Sequence, residues 1–262
     1  MTTSNMTVVK LGGSLLENPA TRREALDAIA ATWRATRSLV MVHGGGKRID
    51  HLSGRLGLPK RTLEGLRITD PAMLEVVVSI LAGVVNKTLV AELHSIGIDT
   101  AGLTGADGAT FRAEVHPAVH GVDLGLVGRI TSVHPELVLS LSDAGFLPVV
   151  GSIALGTGGV LLNVNADSAA SALAVAIRAP RLVFLTDVEG VIDRRGQILE
   201  ILDIAAAESL LDSHAVSGGM KPKLLAAIAA IQGGVTEVGI AGPRRHREAL
   251  EGGKGGTHLV AA

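Results

Sequence analysis

The chain has 262 residues, 47% hydrophobic and 19% charged, which is enough apolar material for one large α/β domain or two modest lobes and too little charge for a disordered chain. A net charge of -1 and an aromatic content of 2% exclude the basic surface and the stacking platforms that nucleic-acid binding needs. With no cysteine, disulfides, thiolate nucleophiles and Cys-zinc sites are excluded, which suits a reducing cytoplasm. No basic segment followed by a continuous apolar run opens the sequence, which argues against a signal peptide. The most apolar stretch, residues 76–85, is broken by Ser79 and Gly83 and falls short of the ~20 residues that span a bilayer. The expectation is a soluble, cytoplasmic protein with neither membrane nor nucleic acid as a partner.

In chain order, Val8 and Val9 lead a strand into Lys10-Leu11-Gly12-Gly13-Ser14. A strand that ends in glycines and opens a helix exposes backbone N–H groups, and this is an anion site with Lys10 beside it. The alternative is a plain strand–turn–helix connection in which the glycines only permit the bend. A helix follows from Asn18-Pro19, with Leu26, Ile29, Ala30 and Trp33 on its buried face. Residues 38–43 read as a strand buried on both faces, as in a parallel sheet, and end in Gly44-Gly45-Gly46. Strand, glycine turn and helix thus occur twice, and in such sheets ligands sit at the carboxyl ends of the strands.

Thr69-Asp70-Pro71 opens a long helix that runs to about residue 95. Met73, Leu74, Val76, Val77, Val78, Ile80 and Leu81 make it apolar on nearly every side, so it needs cover on two faces. The sheet can supply one. The second is supplied by another copy in a two-fold dimer or, alternatively, by the rest of a monomer. Residues 98–103 form a strand, 108–133 a β-hairpin excursion near the site, 134–145 a helix and 147–153 another strand. A turn at 156–159 and a returning run at 160–163 precede an alanine-rich helix, capped by Asp167, that runs to about residue 179. A second half then begins, with a strand at 182–186, the turn Asp187-Val188-Glu189-Gly190, helices at 205–213 and 222–232, and strands at 237–240 and 258–260. Alternating strands and helices give an α/β class, a three-layer α/β/α sandwich around a mainly parallel sheet.

Common motifs do not match. There is no G-x-x-x-x-G-K-[ST], no G-x-G-x-x-G after a strand, no G-x-S-x-G and no H-E-x-x-H. His116 and His120 have a metal-like spacing, but Pro117 opposes a helix there, and exposed loop histidines are the simpler reading. What remains is a set of glycine turns that carry Lys10, Lys223 and Asp167. Phosphoryl transfer asks for little covalent work from the protein: two charge-rich groups held in line, and neutralisation of the moving phosphoryl. Two lysines on glycine turns, oriented by an aspartate, would serve. Each lysine alone could equally be a solvated surface charge.

Six segments carry a resemblance: Lys10-Leu11-Gly12-Gly13-Ser14, His43-Gly44-Gly45-Gly46, Gly65-Leu66-Arg67-Ile68-Thr69-Asp70, Asn163-Val164-Asn165-Ala166-Asp167, Thr186-Asp187-Val188-Glu189-Gly190-Val191 and Gly218-Gly219-Met220-Lys221-Pro222-Lys223. In this order, over essentially the whole chain, they resemble the amino acid kinase family. The third and fourth segments, with Ala82-Gly83-Val84-Val85-Asn86-Lys87, are more specific to its acetylglutamate branch. The resemblance implies ATP-dependent phosphorylation of the side-chain carboxylate of N-acetyl-L-glutamate, a step of arginine biosynthesis. It implies catalytic Lys10 and Lys223 on the transferring phosphoryl, with Asp167 holding both. It also implies substrate binding by Gly45, Gly46, Arg67 and Asn163, where the planar fork of Arg67 suits an α-carboxylate. The nucleotide would be bound by Gly12, Gly13, Asp187, Val188, Glu189, Gly190, Val191, Ile192 and Ser217, and Mg2+ would ride on the ATP phosphates with no protein ligand.

The resemblance further implies a substrate lobe at residues 1–179, which also dimerises, and an ATP lobe at 180–262. The nucleophilic carboxylate is already ionised at neutral pH, so no general base is required and His43 is taken as structural. Strand one begins by residue 7, which leaves no room for the extra N-terminal helix of arginine-inhibited hexamers, so a homodimer without arginine feedback is expected. The question of a signalling-protein partner is left open by these motifs. Lys221 stands where the family more often has an apolar residue, and either touches nucleotide phosphate or faces solvent. Two alternatives remain: a sister kinase acting on N-succinylglutamate or an aminoadipate derivative, and a non-catalytic metabolite sensor on the same fold.

Overall fold

The computed structural model describes residues 5–193, 195–213, 216, 218–253 and 255–261. An eight-stranded sheet forms its centre, in the order β12-β14-β13-β11-β1-β2-β8-β5. The strands that place the site are β1 (Thr7–Leu11), β2 (Leu39–His43), β8 (Leu147–Gly151), β5 (Thr100–Thr104) and β11 (Arg181–Leu185). At the far edge lie β13 (Glu237–Ala241), β14 (Thr257–Val260) and β12 (Ile201–Leu202), and within this sheet only the β13–β14 pairing is antiparallel. Successive strand residues feed opposite faces. Val8, Val40 and Val42 pack with α6 (Ala166–Ala176) and α8 (Met220–Gln232), while Val9, Leu39 and Met41 pack with α1 (Pro19–Thr36) and the long helix of residues 71–95. The result is the α/β/α sandwich that the unbroken apolar strands lead one to expect.

The chain caps its helices as it enters them. Asn18 accepts from the N–H groups of Ala20 and Thr21 at the start of α1, and Asp70 accepts from that of Met73. The long helix is α3 (Pro71–Val78), a π-helical turn (Ser79–Val85) and α4 (Asn86–Ser95) in series. Its 25 residues make it longer than the apolar stretch read from the sequence, and length and composition alone would let it cross a membrane. It is nevertheless part of the fold. Asn86 donates to the carbonyls of Leu103 and Val149 in the sheet, and Glu92 pairs with Arg22 of α1 at 2.7 Å.

Two departures reshape the region of residues 104–163. The strand expected at 147–153 breaks at Ser152, and its last part becomes β9 (Ile153–Leu155) of a second sheet ordered β10-β9-β6-β7. That sheet takes in the expected excursion as β6 (Phe111–Val115) and β7 (Gly128–Val133), and the returning run as β10 (Leu161–Asn163). The hairpin of β3 (Thr62–Leu63) and β4 (Leu66–Arg67), the strand β12 and the helix α9 (His246–Glu251) are too short to leave a periodic signal. Three further α-helices are α2 (Gly46–Arg55), α5 (Glu136–Asp143) and α7 (Ile204–Asp212).

Candidate active site

The carboxyl ends of β1, β2 and β11 open on a cleft of about 720 Å³. Gly12 closes the end of β1 against β11, its N–H donating to Leu185 O at 2.8 Å. A Cβ there would lie 2.9 Å from that oxygen, so only glycine allows the approach. α1 begins at Pro19, as the Asn18-Pro19 signal predicts, so the first turn does not open directly into a helix. The helix N-terminus at the cleft is that of α2, whose cap is Gly45 and whose first residue is Gly46. The two turns abut, since a Cβ on Gly13 would sit 3.5 Å from Gly46 N. Backbone donors of two turns and one helix end therefore converge, as anion binding requires.

Beneath the second turn lies His43, fully buried and absent from the cleft lining. Its Nδ1–H donates to Gly44 O at 3.1 Å, and its Nε2 accepts from Asn86 Nδ2 at 3.0 Å. Burial pushes its pKa down to about 4, so the ring is neutral and serves as a strut. Gly45 meets the π-helical turn: a Cβ on it would come within 2.9 Å of Leu81 Cδ2 and 3.2 Å of Val85 Cγ2.

Lys10 and Lys223 converge on one carboxylate. Lys10 Nζ lies 2.7 Å from Asp167 Oδ1, and Lys223 Nζ lies 3.4 Å from Asp167 Oδ2. All three are buried at the cleft floor, 5–7% exposed. Burial opposes ionisation of Asp167, but the two ammoniums outweigh it and hold the carboxyl below its usual range. Burial, then the like charge of Lys10, pulls Lys223 below the ordinary lysine range, and Asp167 offsets part of this. The Phe184 ring lies 6.0 Å from Lys223 Nζ. Asp167 is not the helix cap that the sequence suggests. Asn165 caps α6, its Oδ1 accepting from the N–H groups of Asp167 and Ser168 at 2.9 and 3.0 Å. With the cap supplied by its neighbour, Asp167 has both oxygens free to face the lysines. Asn and Asp cap equally well, so composition alone does not separate them.

On the other wall stand Gly46, Arg67 and Asn163. Asn163 Nδ2 donates to Thr69 Oγ1 at 3.1 Å, and that hydroxyl donates to Arg67 O at 2.7 Å, so these polar groups share one network. Arg67 Nη2 bonds Asp50 and also Gly46 O at 3.3 Å. Asp50, Thr69 and Asn165 were not identified from the sequence. Asp50 lies four residues after Gly46 on α2, one helical turn from the glycine turn, and this spacing was its available signal.

Gly12, Gly13, Asp187 and Val188 line the cleft on the β11 side, where Ser14 hydrogen-bonds Asp187. Glu189, Gly190, Val191 and Ile192 do not line it. Val191 is a core residue whose N–H donates to Thr257 Oγ1, and Ile192 is exposed. Ser217 lies outside the described residues. Of the two expected fates Lys221 meets the second: it is exposed, and there it pairs at 2.7 Å with Glu64, in the turn between β3 and β4. His120 approaches the other oxygen of Glu64 at 3.5 Å. Among the described residues no cluster of three or more His, Cys, Asp or Glu side chains could hold a metal.

Residues 5–242 match the model of the amino acid kinase family. The chain is 44% identical over 238 residues to an acetylglutamate kinase of Methanopyrus kandleri, covering 88% of this chain and 93% of that one. It is 39% identical to that of Solibacter usitatus, over 97% and 99% of the two chains. Among solved structures it is similar to smu.665 from Streptococcus mutans, with a TM-score of 0.84 and 26% identity over 99% and 100% of the chains. Fold, ordered glycine turns and full-length kinship agree, and the chain belongs to the amino acid kinase family.

Proposed function

We propose that this enzyme transfers the γ-phosphoryl group of ATP to the side-chain carboxylate of N-acetyl-L-glutamate, giving N-acetyl-L-glutamyl 5-phosphate and ADP in arginine biosynthesis. The observation that carries the proposal is the buried Lys10–Asp167–Lys223 arrangement at the floor of a glycine-rimmed cleft. The extensive similarity to acetylglutamate kinases supports the substrate. A sister kinase or a non-catalytic sensor finds no comparable support.

In this mechanism a carboxylate oxygen attacks the γ-phosphorus as the bond to the bridging β,γ-oxygen breaks, and the electron pair leaves with ADP. The attacking carboxylate is already anionic, so no proton has to be removed. The obstacle is bringing two anions together, and here two ammoniums flank the path while one carboxylate fixes their separation. Gly13 would offer its N–H to the nucleotide phosphates and Gly12, whose own N–H is committed to Leu185 O, would let the turn approach them, with Asp187 and Val188 beside them and Glu189, Gly190, Val191, Ile192 and Ser217 further out. Gly45, Gly46, Arg67 and Asn163 would hold the acyl amino acid. Magnesium would ride on the nucleotide phosphates and neutralise part of their charge.

Residues 1–179 would form the lobe for the acyl amino acid and for dimerisation, and 180–262 the nucleotide lobe. A homodimer through the helix of residues 71–95 and a cytoplasmic location complete the proposal. A coupled ADP-release assay across acyl-glutamates, acyl-aspartates and aminoadipate derivatives tests it. N-acetyl-L-glutamate should give the highest kcat/KM, and ATP binding without turnover of any acyl amino acid would refute the kinase.

A further inference from the structure

Arg67 is held along one edge only. Its Nη2 bonds Asp50 and Gly46 O, whereas its Nη1 is buried and meets no hydrogen-bond partner among the described residues. A buried guanidinium N–H without an acceptor is costly, so the empty edge marks where an acceptor belongs. Arg67 lines the cleft, and that acceptor would therefore be a ligand atom. What fixes the orientation is Asp50. This carboxylate, half-buried on α2, binds Arg67 on one oxygen and Lys60 on the other, the latter at 2.8 Å. Burial disfavours its charge, but hydrogen bonds from Lys60 and Arg67 prevail and keep it ionised.

Resting on the carboxylate-binding role given above to Arg67, we propose that Asp50 is a positioning residue that presents the free edge of Arg67 and sets the charge of the head-group subsite. The guanidinium is a flat fork on a flexible stem, and a carboxylate on one side selects the rotamer that leaves the opposite side open. Asp50 also decides how much negative charge the subsite takes. Arg67 and Lys60 bring two positive charges and Asp50 removes one, so the subsite matches a single carboxylate. A doubly charged head group, such as a phosphonate in place of the α-carboxylate, meets the repulsion of Asp50. The carboxylate end of the substrate is thereby selected by an acidic residue that acts through Arg67.

The test uses the intact enzyme and its Asp50→Asn, Arg67→Ala and doubly substituted variants. Steady-state kinetics are combined with calorimetric titration of N-acetyl-L-glutamate in the absence of ATP. Asp50→Asn should raise the KM and the Kd for the acyl amino acid about tenfold while the KM for ATP and kcat stay within about twofold. In the double variant Asp50→Asn should add nothing to the loss caused by Arg67→Ala, because it acts through that side chain. The phosphonate analogue should gain affinity relative to the carboxylate in Asp50→Asn. Unchanged KM, equal shifts in both KM values, or full additivity with Arg67→Ala would each overturn the inference. If Asp50→Asn does not fold, Asp50→Ser is measured in its place. Failure of the unsubstituted enzyme to bind or phosphorylate N-acetyl-L-glutamate would instead refute the proposed function, and this inference with it.

Discussion

Lys223 sits one turn into α8, with its ammonium 3.4 Å from Asp167 and 6.0 Å from the centre of the Phe184 ring. Lys223→Ala should remove a charge that matters only when the phosphoryl is in flight. A loss of about 10²–10³ in kcat is expected, with KM values little changed, measured by ADP release. His43 makes a second prediction, about stability. Its pKa is about 4 in the folded protein against about 6.5 in the unfolded chain, so the unfolded chain binds the extra proton between those values. Stability is therefore lost as pH falls through this window, by about 1.6 kcal/mol between pH 6.5 and 5. Urea unfolding at the two pH values should show that drop, and His43→Asn should lose that part of it.

At the scale of elements, the two glycines of the first turn have different reasons to be glycine. Gly12 has no room for a side chain because β11 backbone is in the way, whereas Gly13 faces Gly46 N at ordinary contact distance. Gly12→Ala should thus destabilise the fold by about 1–3 kcal/mol, seen as a lower melting temperature. Gly13→Ala should melt near the wild-type temperature yet show a raised KM for ATP. The contrast also shows what the sequence could reveal. The strand at Val8-Val9 and the glycine turns are local patterns and were legible, as were Lys10 and Lys223 as candidates. The start of α1 at Asn18-Pro19 was legible too, whereas the abutment of the N-terminus of α2 on the first turn was not, because it depends on the pairing of β1 with β2. Nor was the capping by Asn165, since Asn163, Asn165 and Asp167 can all cap and only the path of β10 into α6 decides among them. The role of Asp50 depends on meeting Arg67 from a distant hairpin, a contact that no local pattern encodes.

Over the whole molecule, one sheet runs through both proposed lobes, with Val8 to Leu11 of β1 in parallel register with Leu182 to Leu185 of β11. That pairing brings Lys10 and Lys223 to one carboxylate, and the Glu64–Lys221 pair spans the same cleft from the β3–β4 turn to α8. The helix of residues 71–95 links this centre to the outside. Its π-helical turn packs Leu81 and Val85 against Gly45, while Val84 of the same turn is 51% exposed. π-helical turns recur at functional sites because they shift which side chains face inward, and here one turn contributes to both the site and the proposed dimer surface. If a second copy covers Val84, Val84→Glu should place a charge in an apolar contact and yield a monomer by light scattering. The monomer should keep its fold, since the half-exposed Val84 lies outside the buried core, but its π-helical turn would lose an outer wall. The KM for the acyl amino acid should then rise more than that for ATP, because Gly45 rests on that turn and Asp187 does not. A Val84→Glu protein with unchanged mass would remove this face as the interface, and a monomer with unaltered kinetics would uncouple the interface from the glycine turn.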